Sequence, residues 1–287
     1  MKLNLLNQIY SLFSVKKNSY LIESNEDILF LNQVLTSEPI LGIDTEFNWK
    51  NTYYPILSML QISTKRKVLL IDCIKLRNLN FLKEILENKE KIIIFHSSRS
   101  DATVLSTNLN IRIENAFDIQ IAERFLVGGN NKNYAAIVEK YFPIKLSKSE
   151  TNSDWLKRPL SKEQISYAAD DVRYLINIFE KQKKKLISIN KFNDVLNASK
   201  KEANLGNQDL YVSRLAKLSD AKEKEKKLFM WRENLAIKKN IPSSFIFKDK
   251  HLKEILKVYK SSDGLKKLTN LIGSKALAKD IIENVSK

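Results

Sequence analysis

Apolar and polar positions along this chain change period several times, and the changes mark its elements. Residues 24–37 read as a helix, with Ser24 or Asn25 as cap candidates and Ile28, Leu29, Leu31 and Leu35 as its apolar positions. Three strand-like runs follow: 40–47 (ILGIDTEF), 56–63 (ILSMLQIS) and 67–72 (KVLLID). Tyr54-Pro55 and Lys65-Arg66-Lys67 fall at the breaks, which predicts neighbouring strands joined as a meander. A helix over roughly 79–88 and a buried apolar strand at 91–95 (KIIIF) come next, after which helical periodicity dominates to the end. The alternation predicts an α/β domain, a mixed sheet covered by helices.

The best-marked helix start is Ser161. Ser161-Lys-Glu-Gln164 has capping-box form, and Leu160 and Ile165 occupy the two staple positions. That helix is expected to run through Tyr174 and Ile178 into the Lys181–Lys185 cluster, where positive charge suits a C-terminal end. The polar stretch 186–206, with Gly206, reads as a connecting segment, a linker or loosely packed helix. Residues 207–287 are helical in pattern with a break at Pro242 and are assigned to a separate small domain, leaving 1–205 as the first. Within that first domain, 1–19 is an N-terminal extension. Its Leu5, Leu6, Ile9, Leu12 and Phe13 follow helical spacing, and a short helix packed on the domain is preferred to a membrane-surface helix. Asn4, Asn7 and Gln8 interrupt the apolar run, which argues against a signal peptide.

Composition narrows the chemistry. The 43% hydrophobic content is ordinary for a globular protein, and no apolar run reaches the ~18 residues of a membrane span. The single Cys73 has no partner for an internal disulfide, which suits a reducing cytoplasm. With two histidines and one cysteine there is no zinc-site spacing, so a catalytic metal would be held by carboxylates and be a hard ion, Mg²⁺ or Mn²⁺. Lys and Arg number 49 against 33 Asp and Glu, a net charge of +16 that favours nucleic acid or an anionic membrane as partner.

Five residues stand out as candidate chemistry. Asp44 and Glu46, two apart on a predicted strand, project from one face, with Ile43, Thr45 and Phe47 on the other. Asp101 follows the buried strand, where a helix cap or first-turn acid is the ordinary reading. Tyr167 and Asp171 are four apart in the capped helix and share a face, while Asp170 points about 100° away. Each has a bland alternative, a solvated acid or a core aromatic; the ordered set is what sharpens the reading.

DTEF (44–47), FHSSRSD (95–101) and YAADD (167–171) resemble the three exonuclease motifs of the DEDD superfamily in its tyrosine-bearing branch. TYYP (52–55), LQIS (60–63), NYAAIVEKYF (133–142) and KSETNSDWLKRPLS (148–161) extend the likeness to ribonuclease D, over residues 20–185. The resemblance implies a ribonuclease H-like mixed-sheet fold. It further implies that Asp44, Glu46, Asp101 and Asp171 hold two divalent ions and that Tyr167 orients or deprotonates the attacking water. A tyrosine titrates near 10 when unperturbed, so orientation is the preferred role. His96 is read as tying the strand-to-helix loop. Arg158 either fixes the helix start or contacts a phosphate, and Tyr134 is a candidate for exposed stacking beside the terminal nucleotide.

Residues 227–256 resemble the HRDC domain that some helicases share with ribonuclease D, matching at Trp231-Arg232, Ala236, Pro242, Phe245, Ile246, Asp249, Leu252 and Ile255. Trp231 and the apolar positions read as core. Lys238, Lys239, Lys248, Lys250 and Lys253 form either a phosphate-facing patch or a solvated face. Ribonuclease D often carries two such modules, and this sequence has room for one. The expected activity is removal of nucleotides from RNA 3′ ends as 5′-monophosphates, with transfer RNA precursors and other small structured RNAs as implied substrates. No membrane and no obligate protein partner are expected. The rivals are a 3′→5′ DNA exonuclease and a catalytically inactive RNA-binding protein.

Overall fold

The computed structural model describes residues 15, 17–76, 78–147, 149–219 and 221–285; the predicted helix at residues 5–13 lies outside them. The chain divides into two compact units, the first formed by residues up to Asn48 together with Ile56–Gln208, the second by Trp49–Pro55 and the residues from Asp209 onward.

The first unit is built on a six-stranded sheet in the order β1-β4-β3-β2-β5-β6. The strands are β1 (Asn18–Ile22), β2 (Ile40–Asn48), β3 (Ile56–Ser63), β4 (Lys67–Asp72), β5 (Ile92–Phe95) and β6 (Ala116–Asp118). β2, β3 and β4 form the expected antiparallel meander, while β1 joins β4, and β5 joins β2 and β6, in parallel. Central strands lose their alternation because both sheet faces are covered: seven of the eight residues of β3 are buried. On one face Leu60, Ile62, Leu69 and Ile93 pack with Leu31 and Leu35 of α1 (Asp27–Ser37), Leu82 of α2 (Phe81–Leu86), and Ala102 and Leu105 of α3 (Arg99–Leu109). On the other, Met59, Leu70 and Ile94 meet Ile121 of α4 (Ile119–Val127), Ile137 of α5 (Tyr134–Tyr141), Ala168 and Val172 of α6 (Lys162–Arg173), and Ile178 of α7 (Leu175–Ser188). Each such aliphatic side chain, fully buried, contributes about 1.5–3 kcal/mol.

Three expectations are corrected here. The helix that starts at Ser161 does not run on through Tyr174: α6 ends and α7 begins there, and the Tyr174 N–H is bonded by the Tyr134 hydroxyl at 3.3 Å. Of the two readings of segment 186–206, the structure takes the helix over the linker, and packs it tightly. The segment finishes α7 and forms α8 (Phe192–Asn207), whose buried stripe of Val195, Ser199, Ala203 and Gly206 packs on β6 and α3. At Gly206 a Cβ would stand 2.3 Å from the Arg99 carbonyl oxygen and 2.7 Å from Ala102 Cβ, so only glycine lets the two helices approach this closely. Two strands, β1 and β6, were not expected at all.

The second unit is helical: α9 (Leu210–Ala216), α10 (Glu223–Lys239), α11 (Ser243–Ile246), α12 (Leu252–Val258), α13 (Gly264–Ile272) and α14 (Lys275–Val285). Leu228, Phe229, Ala236, Ile246, Leu252, Ile255 and Leu268 form its core together with Tyr53. Glu233 is fully buried and is neutralised by Arg214 and Arg232, with the Tyr53 hydroxyl donating to it at 2.7 Å. Phe245 departs from the expected core role and is 62% exposed; α11 is a single turn that turns Ile246 and Phe247 inward instead.

Candidate active site

β2 places the first two acids. Asp44 and Glu46 leave the same face of the strand, and a bulge between Glu46 and Phe47 shifts the register with β3 just beyond them, a distortion that re-aims side chains next to a site. After β5 the chain turns through His96 and Ser97, the latter at φ 66°, into α3, whose first turn carries Asp101. α6 presents Tyr167 and Asp171 one turn apart. The Ser161–Gln164 capping box sets where that helix begins, with both reciprocal bonds formed at 3.1 and 2.9 Å.

These elements converge on a cavity of about 190 Å³ lined by Asp44, Glu46, His96, Tyr134, Tyr167 and Asp171, with Ile43 and Leu175. Asp101 does not line it. Its carboxylate is hydrogen-bonded with Asp44 and accepts from the Thr45 hydroxyl at 2.6 Å, so it stands as a support to the first acid. A second cleft of about 330 Å³ shares Tyr167 and Asp171 and adds Lys162, Glu163 and Asp170. Asp170 pairs with Arg173 at 2.8 Å, in keeping with its direction away from the set.

The electrostatics of the cavity are dominated by burial and mutual repulsion. Burial, then the charges of Asp44, Asp171 and Asp101, pushes the Glu46 carboxyl up to about 10. Burial and Asp171 hold Asp44 well above the carboxylate range, and burial and Asp44 do the same to Asp101. Asp171 rises to about 7, through burial opposed by a hydrogen bond from the Tyr167 hydroxyl. The Tyr167 hydroxyl itself is raised by burial and by the charge of Asp171. Like charges so placed either keep protons or share a cation.

The donor set fits hard divalent ions. It offers carboxylate oxygens from three elements and no soft ligand, and its repulsion is the kind that cations relieve. No three acidic, histidine or cysteine side chains among the described residues are closed into a ready-made coordination shell; Asp44, Glu46 and Asp171 line the cavity and Asp101 stands behind Asp44.

The substrate candidates fare differently. All the N–H groups of Arg158 are used internally: Asp72 at 2.7 and 2.9 Å, the Trp155 and Lys157 carbonyls at 2.7 and 2.9 Å, and Ser58 O and Oγ at 3.2 and 3.1 Å. The geometry therefore takes the first of its two readings, fixing the chain ahead of α6, and leaves no donor for a phosphate. Tyr134 lines the cavity but is half-buried rather than exposed. Its hydroxyl is engaged with the Asp170 carbonyl at 3.2 Å and with Tyr174 N–H, which leaves only part of the ring face available. His96 Nε2 is bonded to the Lys132 carbonyl at 2.9 Å, and the ring lies 5.7 Å from that of Tyr134. Thr45 was missed, because strand alternation assigns it to the opposite face; the only signal was its place between two acids.

In the helical unit a separate cleft of about 540 Å³ is lined by Arg214, Lys217, Lys248, Lys250 and Lys253 among others, so three of the five predicted lysines share one surface.

Residues 21–187 match the 3′-5′ exonuclease family, well over half of the chain. The chain belongs to the 3′-5′ exonuclease family. Residues 224–280 match the HRDC domain, and the relatives place this exonuclease with ribonuclease D. It is 30% identical over 256 residues to the ribonuclease D of Desulfotalea psychrophila, covering 83% of this chain and 67% of that one. Across the curated ribonucleases D it resembles, the aligned part is 38–69% of the relative's own length. Escherichia coli RNase D, described as an exoribonuclease involved in structured RNA processing, superposes with a TM-score of 0.83 at 24% identity. That match covers 94% of this chain and 74% of the other. Brucella melitensis NrnC with bound Mg²⁺ superposes at 0.57 with 20% identity over 72% of this chain and 96% of its own. The first likeness establishes the shared fold, a mixed α/β sheet domain followed by a helical region, and the second shares the fold over the part of the chain it covers. No helix among the described residues is long and apolar enough to cross a membrane.

Proposed function

We propose that this exonuclease removes nucleotides one at a time from RNA 3′ ends, releasing 5′-monophosphates, at a two-metal centre held by Asp44, Glu46, Asp101 and Asp171. The observation that carries the reading is the convergence of three mutually repelling carboxylates and a tyrosine on one small cavity, with the buried Asp101 backing the first of them, on a fold shared with an exoribonuclease. Bound there, divalent ions supply Lewis acidity for activating water and neutralising charge on the leaving 3′-oxygen. Tyr167, whose hydroxyl burial keeps protonated, orients the attacking water through a hydrogen bond instead of removing its proton. Asp101 and Thr45 hold Asp44 in place from behind the strand. The exposed part of the Tyr134 ring offers a stacking face to the terminal base.

The domains follow the two functions, nucleotide removal in residues 1–205 apart from the Trp49–Pro55 segment that belongs to the helical unit, and RNA binding in 207–287, where Lys248, Lys250 and Lys253 contact phosphates. Transfer RNA precursors and other small structured RNAs are the proposed substrates, structured RNA processing being the role described for Escherichia coli RNase D, and the cytoplasm is the proposed site of action. The test uses matched 5′-labelled RNA and DNA oligonucleotides with Mg²⁺, Mn²⁺ or chelator. RNA should shorten in single-nucleotide steps, and chelator should stop it. Equal or faster shortening of DNA would move the protein to the DNA-exonuclease reading, and internal cleavage would overturn both.

A further inference from the structure

β3 carries a polar side chain that the fold leaves without a partner close to the acids. Gln61 is fully buried, and neither its Nε2 nor its Oε1 has a hydrogen-bond partner among the described residues. Such an amide is rare, because each unmade bond leaves the loss of water uncompensated. Its neighbours along the strand, Met59, Leu60 and Ile62, are fully buried and apolar, so packing alone would be served by another apolar residue.

Its position gives the amide a use. In the antiparallel β2–β3 ladder Gln61 stands opposite Asp44, and such facing residues project from one side of a sheet with Cβ atoms about 4.5–5.5 Å apart. Ser63, two residues on and therefore on the same face, stands opposite Gly42, and its buried Oγ also lacks a partner among the described residues. α6, which carries Asp171, packs over both strands, and Leu175 at its junction with α7 closes against Gly42. Three unmet polar atoms thus belong to side chains on the sheet face that carries the first acid.

We propose that Gln61 is a positioning residue for Asp44 in the metal-loaded protein: its Nε2–H donates to the Asp44 carboxylate and its Oε1 accepts from the Ser63 hydroxyl. An ionised carboxylate is an acceptor only, so the amide donor matches it. Partners of this kind orient metal-ligating groups, and their loss lowers metal affinity about 10- to 100-fold. The inference rests on the metal-site reading given under Proposed function.

The test measures Mn²⁺ affinity by calorimetry and the unfolding midpoint in chelator for Gln61→Met, which keeps the volume and removes both polar atoms. The chelated midpoint should hold or rise, since unmet polar atoms are removed, while Mn²⁺ affinity falls about 10- to 100-fold. Ser63→Ala, should Gln61→Met not fold, should lower the affinity a few-fold in the same direction. Wild-type affinity in either folded variant overturns the proposal, as does a lowered chelated midpoint with unchanged affinity. Asp44→Asn separates the readings. Loss of binding there with none in Gln61→Met sinks only the role of Gln61, whereas a wild type that binds no Mn²⁺ sinks the metal site as well.

Discussion

Arg158→Met removes a guanidinium while keeping an unbranched apolar stem of similar reach. In the folded protein that group makes two bonds to Asp72 and others to Ser58, Trp155 and Lys157. The Asp72 side chain is 1% exposed, so the variant leaves its carboxylate buried with only the N–H groups of Ile74 and Lys75. Removing one partner of a buried pair costs about 3–5 kcal/mol, and the two surviving bonds put the loss near the lower end, about 3 kcal/mol. For a unit of this size each kcal/mol moves the midpoint by about 2–4 °C, so scanning calorimetry of the full chain should show a drop of about 6–12 °C. The pH dependence carries a second signature. Burial alone would raise the Asp72 carboxyl, but the hydrogen bond and charge of Arg158, with the N–H groups of Lys75 and Ile74, hold it below the usual range. A depressed carboxyl stabilises the fold above its unfolded value and loses that effect as pH falls, so the gap between variant and wild type should narrow below about pH 4. A midpoint within about 1 °C of wild type together with weaker RNA binding would refute the reasoning, because the guanidinium would then be serving RNA.

The remaining expectations are briefer. Tyr167→Phe should lower kcat on the order of 10²–10⁴-fold with little change in KM, and an unaltered pH profile would favour orientation over proton removal. The metal-site carboxyls are raised in the fold, so without metal their contribution is full below pH ~4 and is lost as pH rises through their folded values, near 7 for Asp171 and about 10 for Glu46. In chelator the midpoint should fall between pH 5 and 8, and Mn²⁺ should flatten that slope; a flat profile in chelator contradicts it. Gly206→Ala should destabilise the protein by about 1–3 kcal/mol in urea unfolding, because the added methyl meets backbone. Stabilisation of about 1 kcal/mol, the helix-propensity gain, would mean that the α3–α8 contact yields.

The elements with strong periodicity were legible in the sequence: β3 and β4 lie where ILSMLQIS and KVLLID place them, and the capping box at Ser161 forms as written. What escaped has physical reasons. β6 is three residues long and β1 only five, so neither offers enough alternation to stand out. α8 reads as a linker or a loosely packed helix because its buried stripe is small and partly polar, with Ser199 Oγ accepting the Asp118 N–H at 2.9 Å and Gly206 serving close approach. The break at Tyr174 has no glycine or proline to announce it and depends on Tyr134, forty residues earlier. Around the cavity, motif order pointed to the five principal residues, which the structure gathers within one neighbourhood. Side chains defined by what they bond across the fold, Thr45, Arg158 and Gln61, acquire meaning only in three dimensions.

The most direct test of the account is a calorimetric titration of the metal-free protein with Mn²⁺, run beside Asp44→Asn. The account predicts saturable binding of two ions per chain in the wild type. In the variant, whose fold should survive, at least one ion should be lost. Saturable binding that Asp44→Asn leaves unchanged, or no saturable binding in a wild type that still shortens RNA in chelator, would contradict it.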